Sequence, residues 1–196
     1  GALAVFVVFS LLAFSLVLFL NAFTIALSFV AILLAIIYPF VKRVSSFPQV
    51  FLGAAFGWGA VMAWSAVRGE IGIPAILIFI ANVFWSTAYD TIYALMDIED
   101  DLKAGVKSTA IFFKSRVYEA VCLLYVATAA ALSLVGVFVG LGAIYYFGVA
   151  VFCLFFIAMV VRLKKRPTRE EADKVFRSNV WGGAFIFVSI VIDMNI

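Results

Sequence analysis

Uninterrupted apolar stretches of about 20 residues recur along this chain, and each is long enough to cross the hydrocarbon core of a bilayer. No water is present at that depth to satisfy a bare backbone, so such a stretch must be a helix or a strand of a closed barrel. The runs are continuous and do not alternate apolar with polar, which selects the helix. We read seven spans, at about 2–20, 22–41, 48–67, 71–93, 118–139, 142–161 and 176–193. Composition agrees: 67% of residues are hydrophobic and 13% charged, where a soluble domain would carry about 25% charged. The expected fold class is an all-α, polytopic transmembrane helical bundle.

The absence of histidine excludes His-ligated metals and Ser-His-Asp triads. Cys122 and Cys153 lie in different apolar runs and read as small packing residues. The chain opens on Gly1 directly into an apolar run, with no basic region of the kind that precedes a signal sequence. It reads as one transmembrane domain, 1–196, cut upstream.

Seven spans place alternate connections on opposite sides. Thirteen of the 14 basic residues then share one side, and Arg68 alone lies opposite. An excess of Lys and Arg marks the cytoplasmic side, or the matrix side of a mitochondrion. The expected location is therefore a membrane whose basic face is cytoplasmic or matrix-side.

One acidic stretch, 89–103, holds Asp90, Asp97, Glu99, Asp100 and Asp101, five of the 11 acidic residues. It follows an apolar span directly. Carboxylates at a membrane edge are costly unless something pairs with them. If 82–101 is one helix advancing about 100° per residue, Asp97 and Asp101 fall within about 20° of Asp90. Tyr93 lies beside that stripe, Asp100 at its margin, Asn82 deeper on the same face, and Glu99 opposite. Like charges four residues apart at about 6 Å repel by roughly 3 kcal/mol at an effective dielectric near 20. Hard oxygen donors on one stripe suit Mg²⁺, which prefers a few carboxylates completed by water and phosphate oxygens. Lys103 and Lys107 follow within two turns and could reach a phosphate as point charges. Lys42 and Arg43, ending the second span on the same side, could do the same or merely signal topology. Lys114, Arg116 and the 162–177 run read as solvated.

These residues carry a resemblance. The segment Tyr38-Pro39-Phe40-Val41-Lys42-Arg43, then Pro48-Gln49, then Leu52-Gly53-Ala54-Ala55-Phe56-Gly57-Trp58 resembles the UbiA-type membrane prenyltransferases, closest to their 4-hydroxybenzoate polyprenyltransferase branch. The likeness continues through Ala81-Asn82, Trp85, Ala88-Tyr89-Asp90-Thr91, Tyr93-Ala94, Asp97, Asp100-Asp101, Lys103 and the 105–110 segment, Gly-Val-Lys-Ser-Thr-Ala. Asn179 and Gly182 fit as well. The resemblance implies nine helices with two Asp-rich motifs facing one cavity. Asp97-x-x-x-Asp101 matches the second motif, and the first, with two helices, would lie upstream. Ile98-Glu99 and Lys114 depart from the common pattern.

The resemblance further implies transfer of a polyprenyl group from its diphosphate to 4-hydroxybenzoate, ortho to the hydroxyl, in ubiquinone biosynthesis. It also implies a bacterial or mitochondrial inner membrane, with the active face on the basic side. In that reading Asp90, Asp97 and Arg43 are catalytic. Lys42, Arg43, Asn82, Tyr93, Lys103 and Lys107 bind substrate, and Asp97, Asp100 and Asp101 hold Mg²⁺. The partners are polyprenyl diphosphate, 4-hydroxybenzoate and the lipid bilayer, with no nucleic acid. Rival readings are another aromatic prenyltransferase, making menaquinone, tocopherol-type quinones or haem O, and an ion or proton transporter using Asp90 and Asp97 as a relay. One carboxylate cluster supplies few ligands for a metal-bound diphosphate, so this 196-residue chain alone is expected to be inactive. Prenylation by the purified chain would contradict that expectation.

Overall fold

A computed structural model describes residues 1–195, apart from the side chains of Ala2, Leu3 and Phe6. The helices are α1 (Ala2–Val17), α2 (Ala22–Val44), α3 (Pro48–Arg68), α4 (Ile73–Met96), α5 (Ile98–Ala104), α6 (Thr109–Phe113), α7 (Val117–Val139), α8 (Ala143–Lys165) and α9 (Arg169–Met194). A 3₁₀ turn, Lys114–Arg116, joins α6 to α7. No strand occurs among the described residues.

Six helices, α2, α3, α4, α7, α8 and α9, are long and apolar enough to cross a membrane; for α7 the apolar stretch takes in α6 and the 3₁₀ turn. The first expected span is the exception. Asn21 caps α2, its side-chain Oδ1 accepting the Thr24 N–H at 2.9 Å. Its Nδ2 donates to the Ser65 and Ala66 carbonyls of α3 at 2.7 and 3.3 Å. The chain must turn to reach this cap, so α1 closes at Val17 after 16 residues, about 24 Å of helix against a core of about 30 Å. The order of α2 to α9 is unaffected, and so is the common face of their basic ends.

Three other boundaries differ from expectation. The stretch 82–101 is two helices, because Asp97 sits at φ −112°, ψ 5° between them. Its N–H turns to the Ala94 carbonyl at 3.3 Å, a shorter ring than the helix uses. The connection at 95–117 therefore contains α5, α6 and the 3₁₀ turn. The connection at 162–175 shrinks to 166–168, since Thr168 caps α9 by accepting the Glu171 N–H at 3.2 Å.

α4 is the hub, packed on α3, α7 and α9. Against α3 it comes close because Gly53 has no side chain: a Cβ there would stand 2.9 Å from the Val83 backbone. The densest core lies among α4, α7, α8 and α9, where Tyr125, Tyr145, Phe152 and Phe156 are fully buried. Tyr125 stacks on Phe156 with centroids 4.6 Å apart. Phe19, Phe56, Phe147, Trp181 and Phe187 stand exposed. In water such a surface would drive aggregation; on an integral membrane protein it faces lipid or packed neighbours.

Candidate functional site at the basic face of the bundle

The C-terminal end of α4 is where the acidic stretch begins. Asp90 is half-buried one and a half turns before the helix ends, and Asp97 is half-buried in the break itself. Asp101 lies one turn on, its N–H bonded to the Asp97 carbonyl at 2.8 Å. Asp101 has its pKa raised above the ordinary carboxylate range, first by burial and then by the charges of Asp97 and Asp100; Lys42 opposes the shift. Asp97, Asp100 and Lys42 thus lie within electrostatic reach of Asp101. Asp100 points away to solvent and pairs with Lys103 at 3.6 Å. The break at Asp97 rotates the two halves of the expected stripe, and among the described residues no three acidic side chains form a ready metal cage.

The basic residues are held by the loop after α5. Gly105, at φ 65°, reverses the chain as α5 ends. Lys107 N–H then donates to the Lys42 carbonyl at 3.0 Å, and Lys107 Nζ to the Val44 carbonyl at 3.2 Å. Lys42 is half-buried and Arg43 exposed at the end of α2. The next residues anchor this strap. Thr109 N–H donates to Gln49 Oε1 at 3.1 Å, and the Thr91 and Thr109 hydroxyls meet at 2.6 Å. Gln49 is only 1% exposed. The 97–108 segment is thus a partly exposed span that continues from α4 and is fastened at its far end to α2, α3 and α4.

Two clefts flank α4 on its α9 side. The larger, about 690 Å³, is lined by Asn82, Trp85, Tyr89, Phe176, Arg177, Asn179, Val180 and Trp181. The smaller, about 500 Å³, takes in Tyr93, Met96, Arg169, Glu170, Asp173 and Arg177. Asn82 donates to the Gly53 carbonyl at 3.1 Å. Tyr93, 43% exposed, leans on Phe176 with centroids 5.1 Å apart.

The fold therefore gathers Asp97, Asp101 and Lys42, and straps Lys107 to them. Asn82 and Tyr93 line the clefts, whereas Asp100 and Lys103 pair with each other on the outer side of α5. Sequence reasoning passed over Arg169, whose Nη2 lies 3.8 Å from Asp97 Oδ1; within a run of charges it had no distinguishing signal. It also assigned no role to Gln49, Thr109 or Asn179. Asn179 did carry a signal, a carboxamide inside an apolar span.

The sequence pattern described as "UbiA prenyltransferase family" matches residues 1–189. A 4-hydroxybenzoate octaprenyltransferase of Alkalilimnicola ehrlichii is 45% identical over 195 residues, covering 100% of this chain and 66% of that protein. One of the same name from Xanthomonas euvesicatoria pv. vesicatoria is 46% identical over 191 residues, covering 97% and 63%. The chain thus spans slightly less than two thirds of these relatives' length. Among solved structures, the apo form of a UbiA homolog from Aeropyrum pernix K1 superposes with a TM-score of 0.71 at 25% identity, covering 92% of this chain and 68% of that one. A structure described for digeranylgeranylglyceryl phosphate synthase shares the fold, with a TM-score of 0.68 at 20% identity over 93% of this chain and 65% of its own.

Proposed function

We infer the function from the premise that the chain belongs to the UbiA prenyltransferase family, and propose that its protein transfers a polyprenyl group from the diphosphate to the ring of 4-hydroxybenzoate. The reading is supported above all by the names of relatives 45% and 46% identical to this chain. Ubiquinone synthesis is then the consuming process, and the basic face is the cytoplasmic or matrix side of an inner membrane. Polyprenyl diphosphate, 4-hydroxybenzoate and lipid are the partners.

The donor set at α4–α5 fits Mg²⁺. Asp97 and Asp101 are hard oxygen donors one helical turn apart, both half-buried, and Mg²⁺ leaves several positions to water and phosphate. Asp97 and Asp101 would hold the ion, with Asp100 recruited from its exposed pair with Lys103. Bound there, Mg²⁺ supplies charge neutralisation for the leaving diphosphate.

The chain's own residues do the rest. Lys42 and Lys107, strapped together at the end of α2, place positive charge where the diphosphate oxygens gain negative charge as the bond breaks. Lys103 and Arg43 stand at the exposed margin and draw the anion in. Arg43, with a planar fork, suits either the diphosphate or the acceptor carboxylate. Asp90, deeper on α4, faces the reacting end of the substrate. Its carboxylate favours positive charge on the allylic carbon and holds the acceptor hydroxyl. Asn82 and Tyr93 shape the walls on either side of it.

The test is an assay of the full reading frame in membranes, with labelled polyprenyl diphosphate, 4-hydroxybenzoate and Mg²⁺. Prenylated hydroxybenzoate is expected, and its loss in Asp97→Asn with unchanged helical content. Turnover of other aromatic acceptors in place of 4-hydroxybenzoate would reassign the substrate.

A further inference from the structure

Three polar side chains lining the larger cleft, Asn82, Trp85 and Arg177, have donors engaged inside the protein. Four of the cleft's lining side chains are aromatic: Trp85, Tyr89, Phe176 and Trp181. Asn82 Nδ2 donates to the Gly53 carbonyl and, at 3.3 Å, to Ser86 Oγ. Arg177 Nε donates to Asp173 at 2.7 Å. The indole of Trp85 has one polar atom, a donor, and it is taken up by Asn179 Oδ1 at 2.7 Å.

The Asn179 carboxamide has all its polar atoms bonded within the bundle. The residue is 8% exposed. The same Oδ1 accepts the Tyr125 hydroxyl at 3.0 Å, and Nδ2 donates to the Val175 and Phe176 carbonyls at 2.9 and 3.1 Å. The indole can only donate, so the amide cannot be turned the other way without leaving two donors facing each other. One carboxamide therefore joins α4, α7 and α9 behind the aromatic wall.

We propose that Asn179 is a positioning residue that keeps the Trp85 face of this cleft closed to water, and that the cleft takes the allylic end of the isoprenoid substrate. The proposal rests on the prenyl-transfer reading. In that reaction the C–O bond to the diphosphate breaks and its electron pair leaves on the diphosphate. The allylic carbon then bonds to a ring carbon, which loses its proton, or to a water oxygen, which loses its proton and gives a polyprenyl alcohol. Aromatic faces stabilise the positive carbon, and a site without loosely held water suppresses the second outcome. An indole N–H with no partner would hold a water against the wall, because an orphaned donor is costly. Asn179 removes that anchor.

The experiment measures the ratio of polyprenyl alcohol to prenylated hydroxybenzoate, made by the full reading frame in membranes with allylic diphosphate, Mg²⁺ and acceptor. Asn179→Leu orphans the indole N–H and is expected to raise the alcohol share by at least about fivefold. Tyr125→Phe removes the other bond to the same oxygen but leaves the indole paired. Its alcohol share should stay within about twofold of the parent. A purely structural Asn179 would move both ratios alike or neither, and that result overturns the proposal. Should Asn179→Leu not accumulate, Asn179→Leu/Trp85→Phe is compared with Trp85→Phe. With no indole N–H in either, equal shares are expected, and a difference shows that Asn179 acts otherwise. A parent that prenylates nothing removes the proposed function and this inference with it. A parent that does so while Asn179→Leu releases no extra alcohol removes the inference alone.

Discussion

α4 carries polar side chains at two levels, and the fold treats them oppositely. In its middle, Trp85 and Asn82 have their donors satisfied within the bundle, and Asn179 across from them is bonded at all four positions. At and just past its end, Asp90, Asp97 and Asp101 are half-buried carboxylates, and the charge of Lys42 reaches Asp101. The nearest ion pair there is a 3.8 Å contact from an exposed Arg169. A completed network specifies a structure and asks for nothing more. A group of half-buried carboxylates without full compensation is the kind of site that a cation and an anionic ligand complete. Under the proposed function, the distinction separates residues that shape the cleft from those that would meet the substrate.

The sharpest way to break this contrast is Asp97→Asn in the full reading frame. Loss of one charged oxygen at the diphosphate site is expected to lower turnover by roughly 10²–10³-fold or more. Thermal unfolding should be nearly unchanged, because Asp97 holds no structural hydrogen bond through its side chain. A variant that unfolds instead would move Asp97 to the structural side. Gln49→Leu should do the reverse. Removing the buried acceptor orphans the Thr109 N–H and is expected to cost about 1–3 kcal/mol. The cost should read out as faster proteolysis of 97–108, with KM for the diphosphate rising more than kcat falls.

A pH titration of Mg²⁺ binding sharpens the contrast further. Asp101 takes up its proton more readily in the fold than in the unfolded chain. Its ionisation therefore lowers stability as pH rises through the interval from the ordinary carboxylate value up to the raised one, and is without further effect above it. Mg²⁺ needs the ionised form, so affinity should fall with acidification at a higher pH than an ordinary carboxylate would give. Asp101→Asn should abolish that limb while weakening binding throughout. Isothermal titration at several pH values checks both. The smallest effect is expected from Arg169→Ala. An exposed pair is worth about 0.2–1 kcal/mol, so Mg²⁺ affinity should rise by no more than a few-fold as Asp97 loses its competing partner.

Much of the site was legible before any coordinates. Asp90, Asp97 and Lys42 stand out because charge beside an apolar run is expensive, and the positive-inside pattern puts the basic ends together. The structure adds Lys107, held on the Lys42 and Val44 carbonyls at the end of α2. The helical wheel failed at one residue. It assumed a continuous helix across Asp97, and the break turns Asp100 outward. The early start of α9 was also readable: Thr168-Arg169-Glu170-Glu171 is a capping box, Ser/Thr followed three residues later by Glu. It was hidden by the density of charge around it.

Run length and charge placement, both local along the chain, were enough to determine a helical membrane bundle, its basic face and the acidic stretch at the end of one span. Lipid forbids a bare backbone and penalises stray charge at every position, so those signals survive without knowledge of the neighbours. Only the tertiary structure decided that α1 stops at Val17 and that α4 breaks at Asp97. The same is true of the Asn179 carboxamide, 94 residues from Trp85 along the chain, which fastens that indole. The Asn21 cap that stops α1 and the Asn179 bond each join residues far apart in sequence, and no local pattern encodes which distant partner will be there; the break at Asp97 is a local turn onto the Ala94 carbonyl that the helical period alone does not reveal.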